Sequence, residues 1–277
     1  MQKCPIENTN LYISNTKKEK NMRIVIKIGT STLTHSTGCQ NIKSTEMLCK
    51  ILSDLKNMGN EVIMVSSGAI GMGTGKLGLK AKPTDIRTKQ AAAAVGQCEL
   101  MYTYDKMFSE YNHTIAQILI TNDDFSHEDR HKNFENTLER LLEFGAIPII
   151  NENDTIATDE IKVGDNDTLS AYVAKSVKAD LLIIMSDIDG LYTADPRSDK
   201  SATLIEHVDK LTPEILALGG GAGSALGTGG MKTKLDAAVI CMDCGCDMII
   251  MNGKSPEKLY DIIDGKSVGT KFKAVKK

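Results

Sequence analysis

From residue 23 onward, the chain alternates short β-branched runs with longer stretches of helical period. The short runs are almost continuously apolar, which is typical of parallel strands covered by helices on both faces. They lie at residues 23–28, 61–65, 114–120, 146–150, 181–185 and 247–251. Helical stretches between them include residues 44–58, 88–111, 128–143, 167–177 and 231–244. This alternation predicts an α/β fold in which crossover helices join mainly parallel strands.

The length and polarity of the chain predict one large domain with an extension before it. A chain of 277 residues with 41% hydrophobic content can bury the core of a single α/β unit. Residues 1–21 are polar and have no apolar period, so we expect a loose N-terminal extension before a domain at 22–277. Met22 is a second candidate for the translation start, and the sequence does not decide between it and Met1.

Charge and composition argue against nucleic-acid and membrane functions. The formal net charge is −3, and 4% of residues are aromatic with no tryptophan, so neither a basic field nor a base-stacking surface is expected. The chain has no apolar run of membrane-spanning length and no signal-peptide pattern, which predicts a cytoplasmic protein without membrane contact.

Seven cysteines are then expected as reduced thiols. Cys241, Cys244 and Cys246 form a C-x-x-C-x-C pattern that is open to a metal, redox or structural interpretation. Because no second Cys or His pair follows, a four-ligand zinc site would be incomplete. We therefore favour a buried structural role.

Small and polar residues follow four of the predicted strands. In an open parallel sheet, ligands bind beyond the carboxyl ends of the strands. The four strand ends carry Gly29-Thr30-Ser31, Ser66-Ser67-Gly68, residues 151–154, and Ser186-Asp187. A turn alone would not require a hydroxyl, amide or carboxylate at every one of these positions, so the sequence predicts a ligand site at this edge.

A lysine interrupts the first predicted strand. Lys27 lies in R-I-V-I-K-I-G-T-S, and burial of a lysine is unfavourable unless an anion accompanies it. One alternative is a lysine whose ammonium reaches solvent from a sheet edge. The adjoining Gly29 and hydroxyl groups suit phosphate oxygens, so we favour a phosphate-binding lysine.

Two glycine-rich segments differ in what they predict. Residues 65–78 match G-x-G-x-x-G by letter, but the strand ends too early and no P-loop spacing surrounds Lys76, so neither nucleotide motif is assigned. Residues 219–234 lead into a helix with Lys232 and Lys234 at its start. Cations there oppose the helix dipole, which favours a bound polyphosphate over a plain flexible linker.

An acid-rich segment, residues 150–167, reads I-N-E-N-D-T-I-A-T-D-E-I-K-V-G-D-N-D. Its β-branched alternation over residues 155–163 predicts a hairpin excursion rather than a helix. Amides and carboxylates gathered at a strand end beside phosphate-binding loops indicate that a charged group is handled at this edge, with the carboxylates as candidate general bases or metal ligands.

Six motifs, read in order, resemble the amino acid kinase family, and within it the members that phosphorylate glutamate. They are K-I-G-T-S, V-S-S-G-A-I, I-N-E-N-D, K-V-G-D-N-D, G-L-Y-T-A-D-P-R and G-T-G-G-M-K-T-K, and the resemblance extends over residues 23–272. It implies a three-layer α/β/α sandwich around a mainly parallel sheet. It also implies an enzyme that uses ATP and Mg²⁺ to convert the L-glutamate side-chain carboxylate to γ-glutamyl phosphate, the first step of proline biosynthesis.

The same resemblance implies a role for each matching residue. Lys27 and Lys234 would be catalytic lysines on the phosphates, with Asp167 as the carboxylate that positions them. Glutamate would be bound by Ser67, Asp154 and Asn166. ATP would be bound by Lys27, Gly29, Thr30, Ser186, Asp187, Thr228, Gly229, Gly230, Met231, Lys232, Thr233 and Lys234. No protein residue is implied as a metal ligand, because ATP would carry the Mg²⁺.

Some features depart from the family pattern or stay open. Ser186 stands where threonine is usual, Lys232 stands where a small polar residue is usual, and we expect no C-terminal PUA domain in this chain. The family also implies feedback inhibition by proline, and we expect a homo-oligomer. The alternatives are a family member acting on acetylglutamate, aspartate, carbamate or a nucleotide monophosphate, and a non-catalytic module that senses amino acids. Asp154 favours a substrate with a free α-ammonium group.

Overall fold

The structure, a computed structural model, describes residues 21–35, 39–157, 166–220 and 230–274. Eight strands within these ranges form one sheet, in the order β3-β4-β2-β1-β5-β7-β8-β6. They are β1 (Arg23–Ile28), β2 (Glu61–Ser66), β3 (Ile115–Ile120), β4 (Ile147–Glu152), β5 (Leu181–Ser186), β6 (His207–Val208), β7 (Asp247–Asn252) and β8 (Thr270–Phe272). The six longer strands are mutually parallel, and only β8 pairs antiparallel, with β7. The predicted mainly parallel sheet is confirmed.

Helices connect these strands. They are α1 (Thr30–Leu33), α2 (Ile42–Asn57), α3 (Ala69–Lys76), α4 (Ile86–Ser109), α5 (Asn122–Ser126), α6 (Glu128–Glu143), α7 (Asn166–Ser176), α8 (Pro213–Ala217), α9 (Met231–Cys244) and α10 (Lys258–Ile263). Side chains cap the longer helices where capping residues precede them. Asn41 accepts a hydrogen bond from the Ser44 amide at the start of α2, and Asp85 accepts one from the Thr88 amide at the start of α4.

One face of the sheet is covered by α6, α7 and α9. Val25 of β1 and Ile184 of β5 lie in a buried cluster with Leu138 of α6, Val173 of α7 and Ala238 of α9. Alternation of side chains along a strand sends every second residue to this face. The lysine of β1, two residues after Val25, therefore emerges beneath α7 and α9.

The opposite face is covered by α2, α4 and α10. Ile24 and Ile26 of β1 lie in a second buried cluster with Leu52 of α2, Leu100 of α4 and Leu259 of α10. Helices on both faces explain why the central strands are apolar throughout. The three-layer α/β/α sandwich implied by the family resemblance is confirmed.

The six predicted strands are all present, with ends shifted by no more than two residues. The sequence did not predict β6 and β8, because strands of two and three residues are too short to show alternation. Asp154–Ile156 form a turn, whereas most of the hairpin predicted at 155–163 lies outside the described residues.

Close packing between α3 and α4 explains Gly73, the first glycine of the G-x-G-x-x-G pattern that was not assigned to nucleotide binding. A Cβ on Gly73 would lie 1.8 Å from the carbonyl oxygen of Ala92, and one on Gly96 would lie 1.7 Å from that of Ala69. Helices α3 and α4 thus pack backbone against backbone, which only glycine permits at these positions. Gly73 serves helix packing.

Candidate active site

The carboxyl ends of neighbouring strands meet at one edge of the sheet, as predicted. The Gly29 amide donates to the Met185 carbonyl oxygen at 3.2 Å, and the Ser67 amide donates to the Ile28 carbonyl oxygen at 3.1 Å. These two hydrogen bonds hold the segments after β1, β2 and β5 side by side. Polar groups distant in sequence are thereby gathered at the edge where α/β sheets bind ligands.

Two lysines and one aspartate form a buried cluster at this edge. The Lys27 ammonium lies 2.6 Å from Asp167 Oδ1, and the Lys234 ammonium lies 3.0 Å from Asp167 Oδ2. Lys27 comes from β1, Asp167 from the first turn of α7, and Lys234 from the first turn of α9. Relative exposures of 8%, 0% and 4%, respectively, show that all three residues are buried. The structure therefore brings together the three predicted catalytic residues.

The charges in this cluster determine the ionisation of Asp167. Burial by itself would raise the pKa of this carboxyl, but the ammonium groups of Lys27 and Lys234 outweigh burial and lower the pKa to about 2. Asp167 is therefore a carboxylate at neutral pH. Two ammonium groups and one carboxylate leave the cluster with a net charge of +1, so it favours an additional anion.

This geometry refines the argument made from Lys27 alone. Its anionic partner is a carboxylate of the protein, so burial of this lysine does not by itself require a phosphate. The same holds for Lys234, whose position against the dipole of α9 is compensated by Asp167. The charges of these three residues still sum to +1, which is in keeping with an anionic ligand.

Thr233 adds a neutral contact to the same carboxylate. Its hydroxyl lies 3.0 Å from Asp167 Oδ2 and 2.8 Å from the carbonyl oxygen of Gly230, the residue before α9. The first turn of α9 is thus joined to α7 through Asp167. Met231 is half-buried and Lys232 is exposed, whereas Thr228 and Gly229 lie outside the described residues.

A set of neutral hydrogen bonds surrounds Asn166, the residue before Asp167. Its Nδ2 lies 3.0 Å from the Ser66 carbonyl oxygen, 2.9 Å from Ser67 Oγ and 2.9 Å from Asn151 Oδ1. Two of the predicted glutamate ligands, Ser67 and Asn166, are therefore in direct contact. The third, Asp154, is half-buried in the turn that follows β4.

Sequence reasoning missed two side chains of α4 that support this set. Gln97 Oε1 accepts a hydrogen bond from Asn151 Nδ2 at 2.9 Å, and the Tyr104 hydroxyl lies 2.9 Å from Ser66 Oγ. Both are buried on a helix whose interior face is otherwise apolar, apart from Thr103. An isolated glutamine in the run A-A-A-A-V-G-Q was the only available signal.

The end of β5 supplies the other predicted nucleotide contacts. Ser186 is buried, and its hydroxyl donates to Asp187 Oδ1 at 3.2 Å, while Arg197 lies 3.2 Å from the other oxygen of Asp187. Next to Ser186, the Gly253 amide donates to the Ser186 carbonyl oxygen at 2.8 Å. Gly29 is half-buried and Thr30 is exposed at the start of α1.

The cysteine pattern lies away from this edge, at the end of α9. Cys241 and Cys246 are buried, and a hydrogen bond to Cys246 together with burial raises the pKa of the Cys241 thiol. Both positions are in keeping with the buried structural role favoured above, whereas Cys244 is exposed, so that expectation is wrong for it. Within the described ranges, no three His, Cys, Asp or Glu side chains are grouped as metal ligands. No helix in those ranges is long and apolar enough to cross a bilayer.

Comparisons with known proteins point to one family. Residues 22–252 match the amino acid kinase family. The chain is 55% identical to a glutamate 5-kinase from Clostridium tetani, with 97% of this chain and 99% of that protein covered. It is 52% identical to a glutamate 5-kinase from Listeria innocua, covering 92% and 94%. With a longer glutamate 5-kinase from Thermoanaerobacter sp., identity is 51%, and 92% of this chain but 69% of that protein is covered.

Solved structures with much lower sequence identity share the fold. Carbamate kinase from Giardia lamblia bound to AMP-PNP matches with a TM-score of 0.63 at 16% identity, over 93% of this chain and all of that one. Isopentenyl phosphate kinase from T. acidophilum matches with a TM-score of 0.62 at 19% identity, over 91% of this chain and all of that one. At these identities, the likeness speaks for the fold alone.

Proposed function

The chain belongs to the amino acid kinase family, and we propose that it catalyses the glutamate 5-kinase reaction. ATP would phosphorylate the side-chain carboxylate of L-glutamate, giving γ-glutamyl phosphate and ADP, as the first step of proline biosynthesis. The observation that carries this proposal is the buried cluster of Lys27, Asp167 and Lys234 directly beside the hydrogen-bonded groups around Asn166. A positive cluster next to neutral and acidic groups suits a phosphate donor next to an amino-acid acceptor.

The acceptor group explains why the site needs no general base. A glutamate side chain has a pKa near 4.3, so its carboxylate is already ionised at neutral pH. One carboxylate oxygen forms a bond to the γ-phosphorus while the bond from that phosphorus to the bridging oxygen of ADP breaks. The electron pair of the broken bond leaves with ADP, and no proton has to be moved. The protein then contributes positioning and charge neutralisation.

The two lysines provide that neutralisation. In the proposal, Lys27 binds ATP phosphate oxygens, and Lys234 contacts the phosphoryl group during transfer. Asp167 holds both ammonium groups at 2.6 and 3.0 Å from its oxygens, so they are already oriented before the substrates bind. Preorganised charges stabilise a transition state better than groups that must first reorient.

ATP would bind along the strand ends and the start of α9. The proposed contacts are Lys27, Gly29, Thr30, Ser186, Asp187 and the segment from Thr228 to Lys234. The Ser186 hydroxyl retains the hydrogen-bonding capacity of the threonine that is usual there. The role of the exposed Lys232 is an electrostatic contribution to polyphosphate binding.

Mg²⁺ enters the proposal as part of the MgATP substrate, where it neutralises phosphate charge. Both oxygens of Asp167 are engaged by ammonium groups, and no cluster of metal ligands occurs in the described ranges. In the proposal the ion is held by the ATP phosphates, and no protein residue is assigned as its ligand.

Glutamate would be recognised by Ser67, Asp154 and Asn166. A carboxylate such as Asp154 is a suitable partner for a free α-ammonium group, because charge-assisted hydrogen bonds are stronger than neutral ones. An acetylated nitrogen has no charge to pair. This contrast favours glutamate over N-acetylglutamate as the substrate.

The test is ATP-dependent formation of a hydroxamate in the presence of hydroxylamine, with ADP release measured in parallel. L-Glutamate should support both signals, whereas N-acetylglutamate and aspartate should not. Turnover of N-acetylglutamate or aspartate instead would reassign the chain within its family. Absence of ADP release with every acidic amino acid would favour a non-catalytic sensing module.

Three further proposals complete this function. Proline would inhibit by competing in the glutamate pocket, because both ligands share an α-amino acid head, and inhibition independent of glutamate concentration would contradict this.

The enzyme would be a homo-oligomer, which light scattering of the purified protein tests. The third proposal is a cytoplasmic location, where reduced cysteines such as the buried Cys49, Cys241 and Cys246 would be expected.

A further inference from the structure

The amide of Asn166 has a fixed orientation in this structure. Its Nδ2 lies 3.0 Å from the carbonyl oxygen of Ser66, which can only accept a hydrogen bond. Exchange of the amide nitrogen and oxygen would place two acceptors against each other, so the assignment follows from chemistry. Nδ2 therefore faces the interior, where Ser67 and Asn151 also accept from it.

A second backbone group fixes the orientation of Asn151. The Glu152 amide, which can only donate, lies 2.9 Å from Asn151 Oδ1. Asn151 must then direct its Nδ2 toward Gln97, which accepts with Oε1 at 2.9 Å. The Ser66 carbonyl fixes the orientation of the Asn166 amide, and the Glu152 amide fixes that of Asn151. Each hydrogen bond from Asn166 through Asn151 to Gln97 therefore has a defined donor and a defined acceptor.

This directionality decides which end of Asn166 remains for a ligand. In a planar amide, the oxygen and the nitrogen point to opposite sides. Because Nδ2 is held by three acceptors, Oδ1 points away from them. Asn166 therefore offers an acceptor, which matches an ammonium group and does not match a carboxylate.

Helix α4 holds both ends of this arrangement. Gln97 and Tyr104 are seven residues apart, about two helical turns, so they lie on the same face of α4. Gln97 reaches Asn166 through Asn151, and Tyr104 reaches it through Ser66, with 2.9 Å between Tyr104 Oη and Ser66 Oγ. Their relative exposures are 9% and 0%, so neither serves the protein surface.

A purely structural role explains Gln97 poorly. Its Nε2 is buried and has no hydrogen-bond partner among the residues that the structure describes. Burial of an unsatisfied N–H group opposes folding, and an apolar side chain at this position would remove that N–H group but leave Nδ2 of the buried Asn151 without its acceptor. The oxygen of the same side chain explains the glutamine better, because Oε1 accepts the hydrogen bond from Asn151 Nδ2.

We propose that Gln97 and Tyr104 are positioning residues for the amino-acid substrate. They hold Asn151 and Ser66 so that Asn166 keeps its Oδ1 directed toward the α-ammonium group. This inference rests on the proposed function and adds two residues that act through Asn166. Part of the specificity for the amino-acid substrate would then depend on α4, although none of the predicted substrate ligands lies on this helix.

The experiment compares Michaelis constants for both substrates in three variants of the full chain. Gln97→Met removes the acceptor at similar volume and should raise KM for glutamate about tenfold, equivalent to about 1.4 kcal/mol. KM for ATP and kcat should stay within about twofold of wild type. Gln97→Glu keeps an acceptor oxygen and should restore KM for glutamate to within about threefold. Tyr104→Phe removes one hydroxyl and should raise KM for glutamate about threefold.

Thr103→Val is the matched control, because Thr103 lies on the same helix, is 8% exposed, and donates a long hydrogen bond of 3.5 Å to Gln40, which is outside the amide contacts around Asn166. It should leave both Michaelis constants unchanged.

The inference is overturned if Gln97→Met leaves KM for glutamate unchanged, or if it raises the Michaelis constants for glutamate and ATP together, as a general loosening of the structure would. If Gln97→Met does not fold, an unchanged KM for glutamate in Tyr104→Phe overturns it instead. Wild-type protein without glutamate-dependent ADP release would refute the proposed function, a result distinct from either of these.

Discussion

The first two residues of α7 face two different environments. Asp167 lies among the ammonium groups of Lys27 and Lys234, whereas the neighbouring Asn166 lies among neutral amides and hydroxyls. One peptide bond thus separates an ionic region, the lysine cluster, from a neutral region, the amide set. We define the amide set as Ser67, Asn151, Asn166 and their partners Ser66, Gln97 and Tyr104.

The difference between the ionic lysine cluster and the neutral amide set follows from the ligand group that each would bind. Charge on a phosphoryl group is neutralised by opposite charges, and direction matters less than proximity. An amino-acid head carries both an ammonium and a carboxylate, so recognition needs donors and acceptors in a definite order. The lysine cluster supplies the first requirement and the amide set supplies the second. The following experiments separate the two regions.

The largest effect is expected for Asp167→Asn, which removes the carboxylate charge from the lysine cluster without changing side-chain size, so that the net charge of its three residues rises from +1 to +2. Two buried lysines would lose their partner, so kcat should fall about 1,000-fold. The free energy of unfolding should fall by about 3–5 kcal/mol, because breaking a buried ion pair leaves unpaired charge. Steady-state ADP release and urea unfolding measure these effects. The control is Asp261→Asn at the exposed Lys266 pair, which should cost at most about 1 kcal/mol.

Lys234→Ala tests the lysine cluster without removing its carboxylate. Loss of one preorganised cation should lower kcat about 100- to 1,000-fold. KM for glutamate should change little, because Lys234 is not part of the amide set. Initial-rate kinetics with each substrate varied in turn give both constants. Full kcat in this variant would remove Lys234 from the phosphoryl-transfer role.

Asp154→Ala tests the proposed glutamate site, which combines Asp154 with Ser67 and Asn166 of the amide set. Loss of a carboxylate partner for the α-ammonium should raise KM for glutamate about 10- to 100-fold while kcat changes little. The same initial-rate measurements apply. A fall in kcat with unchanged KM would place Asp154 with the lysine cluster instead, and the separation of the two regions would be wrong.

The smallest expected effect is a difference between wild type and Asp167→Asn in how the free energy of unfolding changes as the pH falls. The pKa of Asp167 is about 2 in the folded protein against an ordinary value of 3.8. A lowered folded-state pKa stabilises the protein above about pH 4, and this contribution is lost as the pH falls toward 2. It corresponds to about 2 kcal/mol. Urea unfolding between pH 6 and 2.5 should therefore show a steeper decline for wild type than for Asp167→Asn. Equal slopes would show that Asp167 has an ordinary pKa.

Much of the site could be predicted because its residues follow strands. Lys27 interrupts an apolar run, and Ser67 and Ser186 stand where β2 and β5 end, so local pattern and the parallel-sheet rule place them together. The anionic partner of Lys27 was inferred only as a phosphate. Its carboxylate partner Asp167 is 140 residues away in the chain, and pairing at that separation depends on helix packing that periodicity does not reveal.

The support of the amide set is the clearest case of what could not be predicted. Gln97 and Asn151 are 54 residues apart, and α4 shows no pattern that would mark one glutamine among its alanines. Gly73 belongs to a misleading nucleotide-like spacing with Gly75 and Gly78, and its close contact with Ala92 of α4 is exposed only by the packed structure. In each case the relevant neighbour comes from another secondary-structure element.

By itself, the sequence determined the class of fold, the edge of the sheet where ligands bind, and the residues that resemble those of a kinase site. These properties depend on apolar period, strand ends and motif spacing, all of which are local. The tertiary structure decided which charges are paired, which way Asn166 points, and which helix supports it. Those properties arise only when layers pack, because hydrogen-bond direction and ion-pair geometry depend on groups that the chain brings together from far apart.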